Sequence, residues 1–199
     1  PVDVDLDEAT RSVVVTREFM SCRFGGARQG LWPTIGGHRD HNYTFLYPTL
    51  EANPDAPCKP GDVGLLYRTV PTVPWGNAVL KVMIKLKSPS YLYVGDYQTV
   101  ETDPLTAEEY QCLPLKTKKA WAKLVTRRQK SRDIRARIKL RKTYHREPTV
   151  DEIENILATR DEIRLSDEDV IEAYSVGLET FYIWQFKCVG YDEAFQREV

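Results

Sequence analysis

His41–Thr69 reads "HNYTFLYPTLEANPDAPCKPGDVGLLYRT". The apolar run "YTFLY" stops at Pro48, which has no N–H to give to a ladder. "KPGD" (Lys59–Asp62) is a turn sequence, and "VGLLY" (Val63–Tyr67) is a second short run of strand formers. Each run ends near a tyrosine. The loop between them holds Glu51, Asn53 and Asp55 and no lysine until Lys59. Strand, polar loop, turn and strand is the grammar of a small antiparallel sheet.

The flanking segments extend that reading. "SVVVT" (Ser12–Thr16) is a β-branched run, and "TREFMSC" forms a brief helix capped by Thr16. "RFGGARQGLWPTIGGHRDH" carries five glycines and a proline and reads as loop. "AVLKVMIKLK" alternates, with Ala78, Leu80, Val82, Ile84 and Leu86 on one face and Val79, Lys81, Met83, Lys85 and Lys87 on the other. This predicts a half-buried strand with a cationic outer face. "YLYVGDYQTV" is one bent strand or two, broken at Gly95-Asp96. After Pro104 the period changes. Thr106, Thr149 and Ser166 each open a capping box, and Gly177 ends the last helix. Trp121, Leu124 and Val125 share a helical face, as do Ile134 and Ile138, but Ile134 lies about 220° round from Trp121. Either the helix breaks near Thr126–Ser131 or its second half projects. "ETFYIWQFKCVGYD" is a long aromatic strand that must rejoin the early sheet. The expected fold is α+β: a small twisted antiparallel β-barrel in one structural domain. Residues 1–103 supply strands and loops, 104–178 a helical insertion, and 179–199 the closing strand.

Composition bounds the function. The chain has 199 residues, 42% of them apolar, enough for a real core. No apolar run approaches the roughly 18 residues of a membrane span, so no membrane partner is expected, and Pro1–Glu8 is acidic rather than a signal peptide. Cys22, Cys58, Cys112 and Cys188 are scattered and read as buried thiols of a reducing compartment, although the even count also permits two disulfides. The net charge of −1 hides a strong segregation. Residues 116–146 carry 14 Lys or Arg and a single acid, Asp133, a local charge of +13, so the rest of the chain sums to −14. Residues 148–199 hold 13 acids against 4 bases. Such segregation points to a polyanion partner, or to internal docking of basic on acidic helices.

Few residues suggest catalysis. His38 and His41 form an H-x-x-H with no third ligand nearby, so no metal or cofactor is expected. No Ser–His–Asp or Cys–His set can be assembled. "RFGGARQG" lacks the context of a phosphate loop, and "KVMIK" lacks the acid of a divalent-metal nuclease. The basic segment supplies candidate contacts to a DNA backbone: Lys123, Arg127, Arg128, Lys130, Arg132, Arg135, Arg137, Lys139, Arg141 and Lys142. The tyrosine-tipped strands around an acid and amide loop form a candidate cage for a flat polar base, using Tyr67, Tyr47, Glu51, Asn53, Asp55 and Asp62. The bland alternative is that the tyrosines are half-buried strand residues and the acids solubilise a loop.

These motifs, in order, resemble the SRA (SET- and RING-associated) domain, a modified-cytosine reader of the PUA-like barrel superfamily. Gly30, Tyr43-Thr44, Leu50–Asp55, Gly61-Asp62 and Tyr67–Thr69 are similar to that family's glycine-led loop, Tyr-Ser strand, acidic loop, Gly-Asp and Tyr-Thr-Gly. Tyr93–Val100 and Thr180–Asp192 are similar to its later strands. The whole chain also resembles a fungal domain family of uncharacterised function. The SRA resemblance implies a flipped base between two aromatics with an acid at its edge. Tyr67 matches the second aromatic, while Leu50 or Glu51 stands where the first would be. The helical insertion is foreign to that family. The resulting expectation is a nuclear or otherwise intracellular DNA reader rather than an enzyme. The alternatives are a protein-interaction module with a protein partner, or a nucleic-acid enzyme.

Overall fold

A computed structural model describes residues 4–25, 34–38, 41–159 and 161–199. In chain order the elements are α1 (Glu8–Arg11), β1 (Val14–Thr16), α2 (Arg17–Phe24), β2 (Thr34–His38), β3 (His41–Leu46), β4 (Gly64–Arg68), β5 (Leu80–Lys87) and β6 (Ser90–Glu101). Then come α3 (Ala107–Cys112), α4 (Leu115–Arg127), a 3₁₀ turn at Gln129–Ser131, α5 (Arg132–Tyr144), α6 (Val150–Ala158), α7 (Asp167–Ser175), β7 (Tyr182–Gly190) and α8 (Glu193–Glu198). The chain divides into two compact units. One is Pro1–Asp103 with Ile183–Val199, and the other is Pro104–Tyr182.

The first unit is a mixed sheet in the order β2-β3-β5-β6-β7-β4, with β1 pairing β6. The β2–β3, β5–β6, β6–β7 and β1–β6 pairs are antiparallel. β2 departs from expectation, because it lies in the glycine-rich stretch 23–41 that reads as loop; its pairing with β3 outweighs the two glycines it contains. β3 and β5 run parallel, so the sheet is not wholly antiparallel. The parallel pairing follows from the long path between them, which passes through the loop and β4 before returning. The strand pairs shown are those of an open sheet; they do not show a closed barrel. β6 is one continuous strand of 12 residues with a register shift at Asp96/Tyr97. Gly95 accounts for the irregularity. Its φ is +132°, and a Cβ there would meet the Gly190 carbonyl oxygen at 3.0 Å.

A core lies on each face of the sheet. One gathers Leu46, Leu66, Leu80, Val82, Ile84, Val94, Tyr97 and Phe186. The other gathers Met20 and Phe24 from α2, Phe45, Tyr47, Met83 and Tyr93 from the sheet, and Phe195 from α8. The expected cationic outer face of β5 is therefore corrected. α2 and α8 cover that face, and β5 is buried from Leu80 to Ile84, Lys81 included. The Lys81 Nζ donates to Asp192 Oδ2 at 2.9 Å and to Asp96 Oδ1 at 3.1 Å. It also lies 4.7 Å from the ring centroids of Tyr43 and Phe195. Tyr93 donates its hydroxyl to Asp96 Oδ1 at 2.6 Å. Asp192 in turn caps α8, accepting from the Phe195 N–H. One buried ammonium thus ties β5, β6 and the C-terminal helix together.

The second unit is helical. Thr106, Thr149 and Ser166 cap α3, α6 and α7 through complete capping boxes. Of the two alternatives that the out-of-phase stripes allow, the basic stretch takes the break: α4 ends at Arg127 and α5 starts at Arg132. Gly177, at φ +74°, follows the end of α7. None of the four cysteines is disulfide-bonded, and Cys22, Cys58 and Cys112 are exposed rather than buried. Each lies on a solvent-facing position of α2, the loop or α3, outside both sheet cores.

Lys81→Met removes the shared partner of two carboxylates. Because both reach solvent in part, unfolding in urea should show a loss of about 3 kcal/mol, the low end for a broken buried pair. Burial acts to raise the Asp192 pKa, but the Lys81 and α8 N–H hydrogen bonds hold it below the ordinary 3.8. The stability it contributes is therefore present above that value and is lost as pH falls through the depressed one. The gap between wild type and variant should narrow in that acid window and be widest near neutral pH.

Candidate nucleic-acid interface

α4, "LKTKKAWAKLVTR", draws nine of its 13 residues from the good helix formers Leu, Lys, Ala and Arg. Thr117, Ala122 and Val125 are its buried side. At 100° per residue, Lys116, Lys119, Lys123 and Arg127 fall within an arc of about 80°, opposite that buried side. All four are exposed. None has a side-chain hydrogen bond or ion pair among the described residues, and α4 contains no acid. The row extends about 16 Å along the axis, at 1.5 Å per residue.

The start of α4 breaks the charge rule that other helices here obey. Its N-cap is Pro114, with no side-chain cap hydrogen bond and no acid in the first turn. Lys116 sits there instead, at the positive end of the helix dipole. α3, α6 and α7 all have a hydroxyl cap and acids in the first turn.

All the cations of α5 but the exposed Lys139 are used inside its own unit. Arg132 donates to the carbonyls of Leu157 at 2.5 Å and Thr159 at 2.5 Å, closing the C-terminal end of α6. Arg135 is buried and donates to the carbonyls of Val125 and Arg128 at 2.7 and 2.6 Å, closing the end of α4. Arg137 forks onto Glu179 at 2.9 and 2.6 Å and reaches Asp133 at 3.2 Å. Arg141 donates to Glu179 at 2.5 Å and to Glu147 at 2.9 Å. Lys142 pairs with Asp169 and Arg146 with Glu152, each at 2.5 Å. The Glu179 hydrogen bonds hold the Arg137 guanidinium above its ordinary range. Burial lowers that of Arg128, which is half-buried. Of the backbone contacts expected from sequence, Lys123 and Arg127 share the α4 face, and Lys130 and Lys139 are exposed elsewhere. Arg132, Arg135, Arg137, Arg141 and Lys142 are engaged internally. Lys116 and Lys119 were missed. Their i, i+3, i+7, i+11 spacing with Lys123 and Arg127 was the available signal, hidden by the density of the charge run.

The tyrosine loop is a packed structure. Tyr67 is 3% exposed. Its hydroxyl donates to Asp55 Oδ2 at 2.5 Å and its N–H to Asn53 Oδ1 at 2.9 Å. Burial, then the Asp55 contact, raises the Tyr67 hydroxyl well above its ordinary value. Asn53 is buried. Gly64 lets this loop lie on β4: a Cβ there would meet the Asp55 carbonyl and Pro57 at 2.6 Å. Tyr47 faces the other core, under the Arg17 guanidinium at 3.5 Å from its ring centroid, and burial pushes its hydroxyl up to about 12. Glu51 is exposed. Asp62 is half-buried, and its carbonyl accepts from Tyr97 at 2.6 Å. The two tyrosines are thus not brought together as facing plates. Gly30 lies outside the described residues. His38 and His41 are paired opposite each other where β2 meets β3. No group of three or more His, Cys, Asp or Glu able to hold a metal occurs among the described residues, and none of their helices is long and apolar enough to cross a membrane.

A family model described as a domain of unknown function (DUF6697) matches residues 14–199. The chain belongs to that family. No curated protein and no solved structure matches it. The matched span starts at β1, so the DUF6697 unit takes in every strand among the described residues, the Lys81 cluster and the whole of α4.

Glu179 is the test of the internal reading of α5. Glu179→Ala leaves two clustered guanidiniums without their shared acceptor and should cost about 3–5 kcal/mol, seen as a lowered melting temperature. Lys139→Ala, which removes an exposed cation, should stay within about 0.5 kcal/mol of wild type.

Proposed function

We propose that this domain binds double-stranded DNA by laying the exposed face of α4 on the phosphate backbone. The observation that supports it most is the row Lys116, Lys119, Lys123 and Arg127: four unneutralised cations on one rigid face, in a unit whose other cations are largely paired. The missing cap and the lysine at the helix start add to it. A surface that breaks a local stability rule without a structural return is where function is expected.

The sheet unit enters the proposal as an SRA-like, barrel-forming scaffold. Leu46 on β3 and Leu66 on β4, far apart in the strand order, share one core, as in a sheet that curls around its interior. Base reading by Tyr67, Tyr47, Glu51, Asn53, Asp55 and Asp62 is left out of the proposal, because the ring face it needs at Tyr67 is buried. A nuclear location is part of the same reading, following from a DNA partner alone.

Titrating duplex DNA by fluorescence anisotropy over a salt series tests the proposal. Four neutralised phosphates give a slope of log K against log salt of about −3.6. The variant with Lys116, Lys119, Lys123 and Arg127 all changed to Glu should lose measurable binding. An unchanged slope in that variant would remove α4 from the interface. Lys116→Glu alone should weaken binding while raising helix stability by about 0.3–1 kcal/mol, since an acid suits the first turn.

A further inference from the structure

We infer that the α4 face takes duplex DNA of any sequence and prefers it to single strands; this rests on the DNA-binding reading above. The chemistry of the arc carries the inference. Sequence is read in the grooves by side chains with paired donors and acceptors, chiefly Arg, Asn and Gln, set against base edges. The arc of α4 holds Lys116, Lys119, Lys123 and Arg127 and no other side chain. Ala120 and Thr126 lie about 20° beyond its two edges, and the Thr126 hydroxyl donates to Asp167 at 3.2 Å. Three of the four cations are lysines, whose ammonium is a point charge that suits phosphate oxygen and has no planar fork. Asn, Gln and acids are absent from the whole helix. Arg127 is the single group able to fork onto a guanine, and it stands at the end of the row.

Preference for the duplex follows from what else is missing. Proteins that hold single strands combine a basic track with aromatic plates on which unstacked bases lie. α4 has one ring, Trp121, and it points away from the arc. Trp121 packs edge-on against Phe181 at 5.5 Å between centroids, inside its own unit. Nothing on the row rewards an unstacked base, so only charge density remains, and that is higher for the duplex.

The experiment uses equal-length duplexes of A·T-rich, G·C-rich and mixed sequence, and the mixed single strand, at one salt concentration with the full chain. A single base-edge contact would separate sequences by roughly 5- to 150-fold. The inference predicts dissociation constants that agree within about fivefold across the duplexes, with the single strand weaker. A duplex bound more than about tenfold tighter than the others, or a single strand bound tighter than its duplex, overturns it. The Lys119→Glu, Lys123→Glu double variant keeps the two levels apart. If it binds every probe as wild type does, the α4 interface itself fails. If it loses binding and the wild type still separates sequences, the interface stands and sequence indifference falls.

Discussion

A single buried carboxylate organises the helical unit. Glu179 has a side chain only 5% exposed and receives both Arg137 and Arg141. A segment of charge +13 has no reason to fold against itself unless its cations find acceptors, because crowded like charges repel and dehydrated ones are costly. Glu179 supplies the central acceptor. Carbonyls at two helix ends supply the next, through Arg132 and Arg135. With those charges satisfied, Ile134, Ala136, Ile138 and Leu140 can all be buried on α5. The polyanion partner and the internal docking suggested by charge segregation are then not exclusive. α5 docks internally, and α4 is left facing outward.

The sheet unit solves a like problem at smaller scale. Lys81 sits at the second position of β5, on the face covered by α2 and α8, and is acceptable there because Asp96 and Asp192 flank it. Both units bury cations by bringing carboxylates to them from distant parts of the chain. In both, the hydrogen bonds of Lys81 and Glu179 join segments far apart in the chain.

Local signals were readable from sequence, and long-range ones were not. The three capping boxes, the two out-of-phase stripes that allow a helix break, and Pro48 two residues beyond the end of β3 act within a few residues of where they are written. The alternation in "AVLKVMIKLK" correctly placed Lys81 opposite Leu80 and Val82. It could not show that the cap of a helix 111 residues later would meet the lysine. Arg132 and Lys123 look alike in a charge run, yet one closes α6 and the other faces solvent. What separates them is helical phase against a neighbour not visible locally. Tyr67 shows the same limit. Its place after a strand suited a stacking plate, while the Asp55 and Asn53 contacts that pack it away are 12 and 14 residues upstream.

The central proposal is that Arg132, Arg135, Arg137, Arg141 and Lys142 of α5 are committed internally while the row Lys116, Lys119, Lys123 and Arg127 of α4 meets DNA. Lysine acylation footprinting with mass spectrometry, with and without duplex DNA, reads both halves in one sample. The account predicts that DNA protects Lys116, Lys119 and Lys123, and leaves the reactivity of Lys139 and Lys142 unchanged. Protection of Lys139 or Lys142 with the α4 lysines still reactive would contradict it.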